Sequence, residues 1–241
     1  MCNELKSLQQ QLCGNTYPGR GILIGKSAGG STVIAYFIMG RSENSRNRIF
    51  EKTEDGIRTR AYDESKLTDP SLIIYAPVRK VGPVTVVTNG DQTDTVRDEL
   101  LLAADPAAER FARFASALAR REFEPDPPNF TPRISGVVGD DGYDLSILKS
   151  EDQSGTVCQR NFFRYAFEPG VCHFIHTYEH DGDPIPTFRG EPRRLLCPEG
   201  SAEEIAEYVW NCLDESNRVS LFVRKICACG AETTAIINKH C

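Results

Sequence analysis

Residues 40–48 read Gly40-Arg41-Ser42-Glu43-Asn44-Ser45-Arg46-Asn47-Arg48, placing three guanidinium groups and four small hydrogen-bonding side chains within nine residues, directly after an apolar run. Arginine presents a rigid fork of donors matched to phosphate oxygens, and each charge-assisted hydrogen bond contributes about 1.5–3 kcal/mol. The same composition suits a solvated loop, and local sequence leaves both readings open. Thr88-Asn89-Gly90-Asp91-Gln92-Thr93-Asp94 stands between a strand-like and a helix-like pattern. It either delivers amides and backbone donors to a ligand at a strand end or forms a type I′ turn followed by a helix cap. Glu122-Phe123-Glu124 closes a helical pattern beside prolines, with Arg133 downstream. A glutamate against apolar surface has its pKa raised toward neutrality, which suits proton transfer; the plainer reading is an exposed helix-terminal carboxylate. Tyr75, near the end of an apolar run, serves either proton transfer or core packing.

The elements that must position these groups follow from periodicity. Leu5, Leu8 and Leu12 fall at helical spacing before Gly14 and Asn15. Strands are expected over 22–24 and 32–39, joined by a Gly29-Gly30 hairpin, then over 72–78 and 84–88 with Gly82-Pro83 turning between them. Two helices follow, one over 96–104 and one capped by Asp105-Pro106 with Phe111, Phe114, Ala115 and Leu118 on one face. After the proline-rich stretch 125–132, strands are expected over 134–138, 143–148, 161–167 and 171–178, then a polar loop over 180–200. Ser201 and Glu204 make a capping box for a helix carrying Ile205, Val209, Cys212 and Leu213, and strands over 219–226 and 233–237 close the chain. Blocks of strands alternating with blocks of helices indicate an α+β fold with mainly antiparallel sheets. No linker interrupts the pattern, so residues 1–241 read as one domain.

With 241 residues, 40% of them hydrophobic, the chain can bury a substantial core. A net charge of -6 argues against nucleic acid or an anionic membrane as partner. No window approaches the roughly 18 apolar residues of a membrane span, and the N-terminus lacks a signal-peptide pattern, so a cytoplasmic protein is expected. The nine cysteines are odd in number and form no CxxC pair, which favours free thiols. A metal is not expected: Cys227-Ala228-Cys229, read as strand, has no second ligand pair, and His173 and His176 point to opposite faces of a strand.

These segments together resemble the archaeal-type inosine monophosphate cyclohydrolase family. The resemblance runs through Tyr17-Pro18-Gly19-Arg20-Gly21-Ile22-Leu23-Ile24-Gly25, Arg41-Ser42 with Asn47-Arg48, the stretch 70–75, Thr88-Asn89-Gly90 with Thr93-Asp94, Glu122-Phe123-Glu124 and Thr131-Pro132-Arg133-Ile134. It implies a four-layer αββα sandwich like that of the N-terminal nucleophile hydrolases, with the nucleophile position unused. It also implies a purine ribonucleotide substrate, no cofactor and a homo-oligomer. Roles carried over from the family give the 5′-phosphate to some of Arg20, Arg41, Ser42, Asn47 and Arg48, base or ribose contacts to Asn89, Asp94 and Arg133, and proton transfer to Tyr75 and Glu124. The helix within residues 1–16, the loop near 181–198 and the cysteine-rich tail are extra to the pattern, and Phe37 stands where the family carries arginine. Two rivals remain: an amidase using Cys2 as N-terminal nucleophile, which the helix ahead of the first strand disfavours, and a purine-nucleotide-binding protein without catalysis.

Overall fold

The computed structural model describes residues 4–67, 74–152 and 154–240; Cys2 and part of the 70–75 motif lie outside them. A six-stranded sheet runs in the order β11-β10-β1-β2-β12-β13 and a seven-stranded sheet in the order β3-β4-β5-β6-β7-β8-β9. The first is built from β1 (Gly21–Lys26), β2 (Thr32–Met39), β10 (Val171–His176), β11 (Arg193–Leu196), β12 (Arg218–Ile226) and β13 (Glu232–Asn238). The second comprises β3 (Arg48–Lys52), β4 (Gly56–Ala61), β5 (Val78–Val81), β6 (Val84–Thr88), β7 (Arg133–Val138), β8 (Gly142–Ser150) and β9 (Cys158–Ala166). Neighbouring strands in both sheets are antiparallel. The helices are α1 (Leu8–Leu12), α2 (Glu43–Arg46), α3 (Gln92–Leu101), α4 (Arg110–Ala119) and α5 (Ala202–Cys212).

Three apolar clusters separate the elements. Leu8 and Leu12 of α1 and Ile205 and Val209 of α5 pack on Leu23, Val33, Ala35 and Phe37 of the six-stranded sheet. The opposite face of that sheet, with Ile22, Ile24, Ile34, Tyr36 and Ile38, packs on Phe50, Ile57, Val87, Ile134 and Leu145 of the seven-stranded sheet. Val96, Leu100, Phe114 and Leu118 of α3 and α4 cover Val84, Val86, Val137 and Leu148 on its far side. β2 is therefore buried on both faces from Val33 to Met39, which is why it reads as a continuous apolar run.

Several expectations shift. The polar stretch after residue 42 folds into α2 and the β3–β4 hairpin, whose buried residues Arg48, Phe50, Ile57, Thr59 and Ala61 alternate with half-buried or exposed ones. α3 starts at Gln92, four residues before the expected start, and α4 starts at Arg110. Asp105 does cap, accepting from the Ala107 and Ala108 amides at 3.0 and 3.1 Å, but it caps a turn that precedes the helix. β5 begins at Val78, and residues 74–77 lie outside any strand. Cys227 and Cys229 sit in the turn between β12 and β13, not on a strand. The Ser201–Glu204 capping box forms as read, at 3.1 and 2.8 Å.

Candidate active site

Arg20 immediately precedes β1 and is fixed by its backbone: its amide donates to Thr177 Oγ1 at 3.1 Å and its carbonyl accepts from the Thr177 amide at 3.0 Å. Its Nη1 contacts both carboxylate oxygens of Glu124 at 3.3 Å. Glu124 is 2% exposed, and burial raises its pKa against the opposing pull of Arg20 and Arg133. Burial also works against the Arg20 charge, yet Glu124 and the surrounding tyrosines 75, 178 and 36 hold its pKa well above the ordinary value. Beside this pair the Tyr36 and Tyr75 hydroxyls lie 2.8 Å apart. Tyr75 is placed by Thr59, whose hydroxyl donates to the Tyr75 carbonyl at 3.0 Å and accepts from its amide at 2.8 Å.

Arg20 also lines a cavity of about 270 Å³, together with Arg41, Ser42, Ser45, Arg48, Tyr17, Asp126, Thr131 and Tyr178. Arg48 is 1% exposed; its Nε donates to the Ser45 carbonyl at 2.8 Å and its Nη2 to the Met39 carbonyl at 3.4 Å, while Nη1 has no partner among the described residues. Burial, then the Arg20 charge, lowers its pKa. A buried guanidinium donor left unmade is costly, and an anionic oxygen in the cavity would relieve it. Arg41 stands nearer the surface, donating to Asp181 Oδ1 at 2.5 Å and to the Gly182 carbonyl at 2.8 Å, with its guanidinium 5.2 Å from the Tyr17 ring centre. Buried cations and an anion-seeking donor line this cavity, and the Glu124 carboxylate of raised pKa is paired with one of them, Arg20, an arrangement able to hold a phosphorylated ligand and move protons.

Residues 17–229 match the family model described as IMP cyclohydrolase-like protein. The chain belongs to that family. Among curated relatives, the IMP cyclohydrolase of Methanosphaera stadtmanae is 25% identical over 215 residues, 89% of this chain and 93% of its own length. That of Methanopyrus kandleri is 28% identical over 184 residues, 71% of this chain and 89% of its own length. That of Methanococcus maripaludis strain C6 is 30% identical over 164 residues, 68% and 75% of the two lengths.

In this cyclohydrolase-family chain the cavity gathers four of the expected phosphate ligands, Arg20, Arg41, Ser42 and Arg48. Asn47 is turned elsewhere: its side-chain amide clasps the Asp63 backbone, accepting and donating at 2.7 Å, and so pins α2 to the chain beyond β4. Asn89 spends its side chain on scaffold, donating to the Pro132 carbonyl at 2.8 Å and accepting from the Ile134 amide and Gln92 Nε2 at 2.9 Å. Arg133 pairs with Gln92 Oε1 and Asp91 Oδ1, both at 2.7 Å, and lies close enough to Glu124 to oppose its raised pKa. Asp94 is half-exposed on α3 and pairs with Arg79 at 2.8 Å, away from the cavity lining. Gly90 sits where a β-carbon would stand 2.5 Å from Arg133 Nη1 and 2.6 Å from Gln92 Oε1, so a side chain there would push this cluster apart.

Sequence reasoning missed Tyr36, Asp126, Thr131 and Tyr178 as members of the site. Tyr36 lies inside an apolar run and reads as core; Asp126 and Thr131 lie in a proline-rich loop that reads as a stop signal. The one local hint is Asp126 itself, which accepts from the Thr131 amide and hydroxyl at 2.6 and 2.5 Å in a loop tied back to Glu124, whose amide donates to the Thr131 carbonyl at 2.8 Å.

Proposed function

We propose that the chain is an IMP cyclohydrolase, closing the purine ring of 5-formamidoimidazole-4-carboxamide ribonucleotide to give inosine monophosphate. The carboxamide nitrogen attacks the formyl carbon, a C–N bond forms, and the former formyl oxygen leaves as water with one proton from the carboxamide nitrogen and one from the formamido nitrogen, which becomes doubly bonded to the former formyl carbon. No atom changes oxidation state overall, so the step asks for positioning and proton movement. Both reacting groups belong to one molecule, which supplies much of the proximity term itself.

In this reading Arg41, Arg48 and the serines receive the 5′-phosphate, with the unpaired Arg48 Nη1 taking one oxygen. Arg20 steadies charge on the oxygen of the collapsing intermediate, Glu124 carries protons between nitrogen and oxygen, and Tyr75 assists with Tyr36 behind it. The observation that carries the reading is the Arg20–Glu124 pair bordering a cavity with a buried, unsatisfied guanidinium, within a chain of this family. The two sheets with helices on their outer faces are read as the αββα sandwich of the N-terminal nucleophile hydrolases, one domain in which α1 is an addition.

Purified protein mixed with the formylated ribonucleotide should convert it to inosine monophosphate, followed by absorbance. Absence of conversion by protein that binds inosine monophosphate would leave only a nucleotide-binding role.

A further inference from the structure

The part of the cavity lining made by Asp126, Thr131 and Tyr178 holds a hydrogen-bonded chain with a fixed direction. Asp126 Oδ2 accepts from Thr131 Oγ1 at 2.5 Å, and Oδ1 accepts from the Thr131 amide at 2.6 Å. A threonine hydroxyl has one proton, and here it goes to the carboxylate. Thr131 Oγ1 therefore accepts at its 2.6 Å contact with the Tyr178 hydroxyl, and Tyr178 is the donor. With its proton committed, the phenol offers the cavity only an acceptor. Its placement is firm: the ring stacks on Tyr17 at 5.8 Å and 19°, and the Tyr178 carbonyl accepts from His176 Nδ1 at 2.7 Å. Burial keeps the phenol protonated by raising its pKa, although Arg20 pulls the other way.

An acceptor that cannot donate refuses phosphate and carbonyl oxygens and takes an O–H or N–H. In a purine ribonucleotide whose phosphate lies on Arg41 and Arg48, the donors next along the molecule are the sugar hydroxyls. Resting on the function proposed above, we infer that the Tyr178 oxygen accepts a hydrogen bond from a ribose hydroxyl, with Thr131 and Asp126 as positioning residues, so that Tyr178 selects ribonucleotides over deoxyribonucleotides.

Calorimetric titration of inosine monophosphate and its 2′-deoxy and 3′-deoxy forms tests this, using wild type, Tyr178→Phe and Thr131→Ser, each checked for folding by circular dichroism. One deoxy form should bind wild type about tenfold more weakly, as expected for one lost hydrogen bond. Tyr178→Phe should bind the parent nucleotide about tenfold more weakly and lose that discrimination, because the partner oxygen is gone. Thr131→Ser keeps the hydroxyl and should discriminate like wild type. Discrimination by the same factor in Tyr178→Phe, or none in wild type, overturns the inference and leaves the proposed function standing. Failure of wild type to bind inosine monophosphate at all overturns both.

Discussion

Arg20 and Glu124 form a nearly enclosed ion pair in which one guanidinium nitrogen stands 3.3 Å from each carboxylate oxygen, with side-chain exposures of 13% and 3%. Burial of a charge pair costs desolvation that its mutual attraction only partly returns, so such a pair is weak evidence of a stabilising role. In the proposed reaction its value is chemical: burial lifts the Glu124 pKa while Arg20 keeps the carboxylate within reach of ionisation. A group poised in this way can take a proton and give it back.

Glu124→Gln keeps the shape and removes the exchangeable carboxyl. Ring closure should slow by about 10² to 10⁴, the usual worth of a positioned acid–base group. Binding of inosine monophosphate, measured calorimetrically, should change far less. A variant that retains the wild-type turnover would remove Glu124 from the proton path.

The two hydroxyls 2.8 Å apart make Tyr36 the group that orients Tyr75. Tyr36 is fully buried and its pKa is raised by burial and then by Tyr75, so at neutral pH it serves as a neutral partner. Tyr36→Phe should lower kcat with little change in KM, and Tyr75→Phe should lower it further; the double variant should be no worse than Tyr75→Phe alone. Additive losses in this cycle would show that the two hydroxyls act separately.

How much of this was visible in the chain depends on the range of the interaction. β2, β6 and α5 were legible because burial on both faces, or a capping box, leaves a local pattern. β3 and β4 were not, since one face of the hairpin is polar and its inward arginine, Arg48, reads as solvent-exposed until the second sheet covers it. Arg41, Ser42 and Arg48 could be found as a cluster of phosphate-binding types. The partnership of Tyr36 with Tyr75 spans 39 positions and that of Arg20 with Glu124 spans 104, and no local rule encodes either. Asn47, Asn89 and Asp94 have suitable chemistry for a ligand, yet their side chains are engaged by Asp63, by Pro132, Ile134 and Gln92, and by Arg79.

Arg41 is held by Asp181 and the Gly182 carbonyl. Both contacts fall on Nη1, so a ligand phosphate that takes this nitrogen displaces an exposed pair worth about 0–1 kcal/mol, and one on the other guanidinium nitrogens still sits near the Asp181 charge. Asp181→Asn should therefore tighten inosine monophosphate binding by about two- to fivefold at low salt, with the gain shrinking as salt rises. An unchanged or weaker affinity, measured by calorimetry, would place the phosphate away from Arg41.

His173 and His176 set the expected acid sensitivity. Burial, with Arg194 nearby, lowers the His173 pKa to about 4; burial, with the Tyr178 carbonyl opposing and Arg193 assisting, lowers that of His176 to about 4. In the unfolded chain both titrate near 6.5, so between about pH 6.5 and 4 the unfolded state binds more protons. Their contribution is intact above that window and falls with pH at up to about 1.4 kcal/mol per unit for each ring. Glu124, whose pKa is raised, works in the opposite sense, stabilising as it protonates, but it is common to wild type and variant and cancels in the comparison. His176→Asn retains a donor for the Tyr178 carbonyl and removes one titrating ring, so its Tm should fall less steeply than that of wild type between pH 6.5 and 5. Parallel melting curves across that range would mean that His176 takes up its proton alike in the folded and unfolded protein, which its burial beside Phe174 and Phe188 argues against.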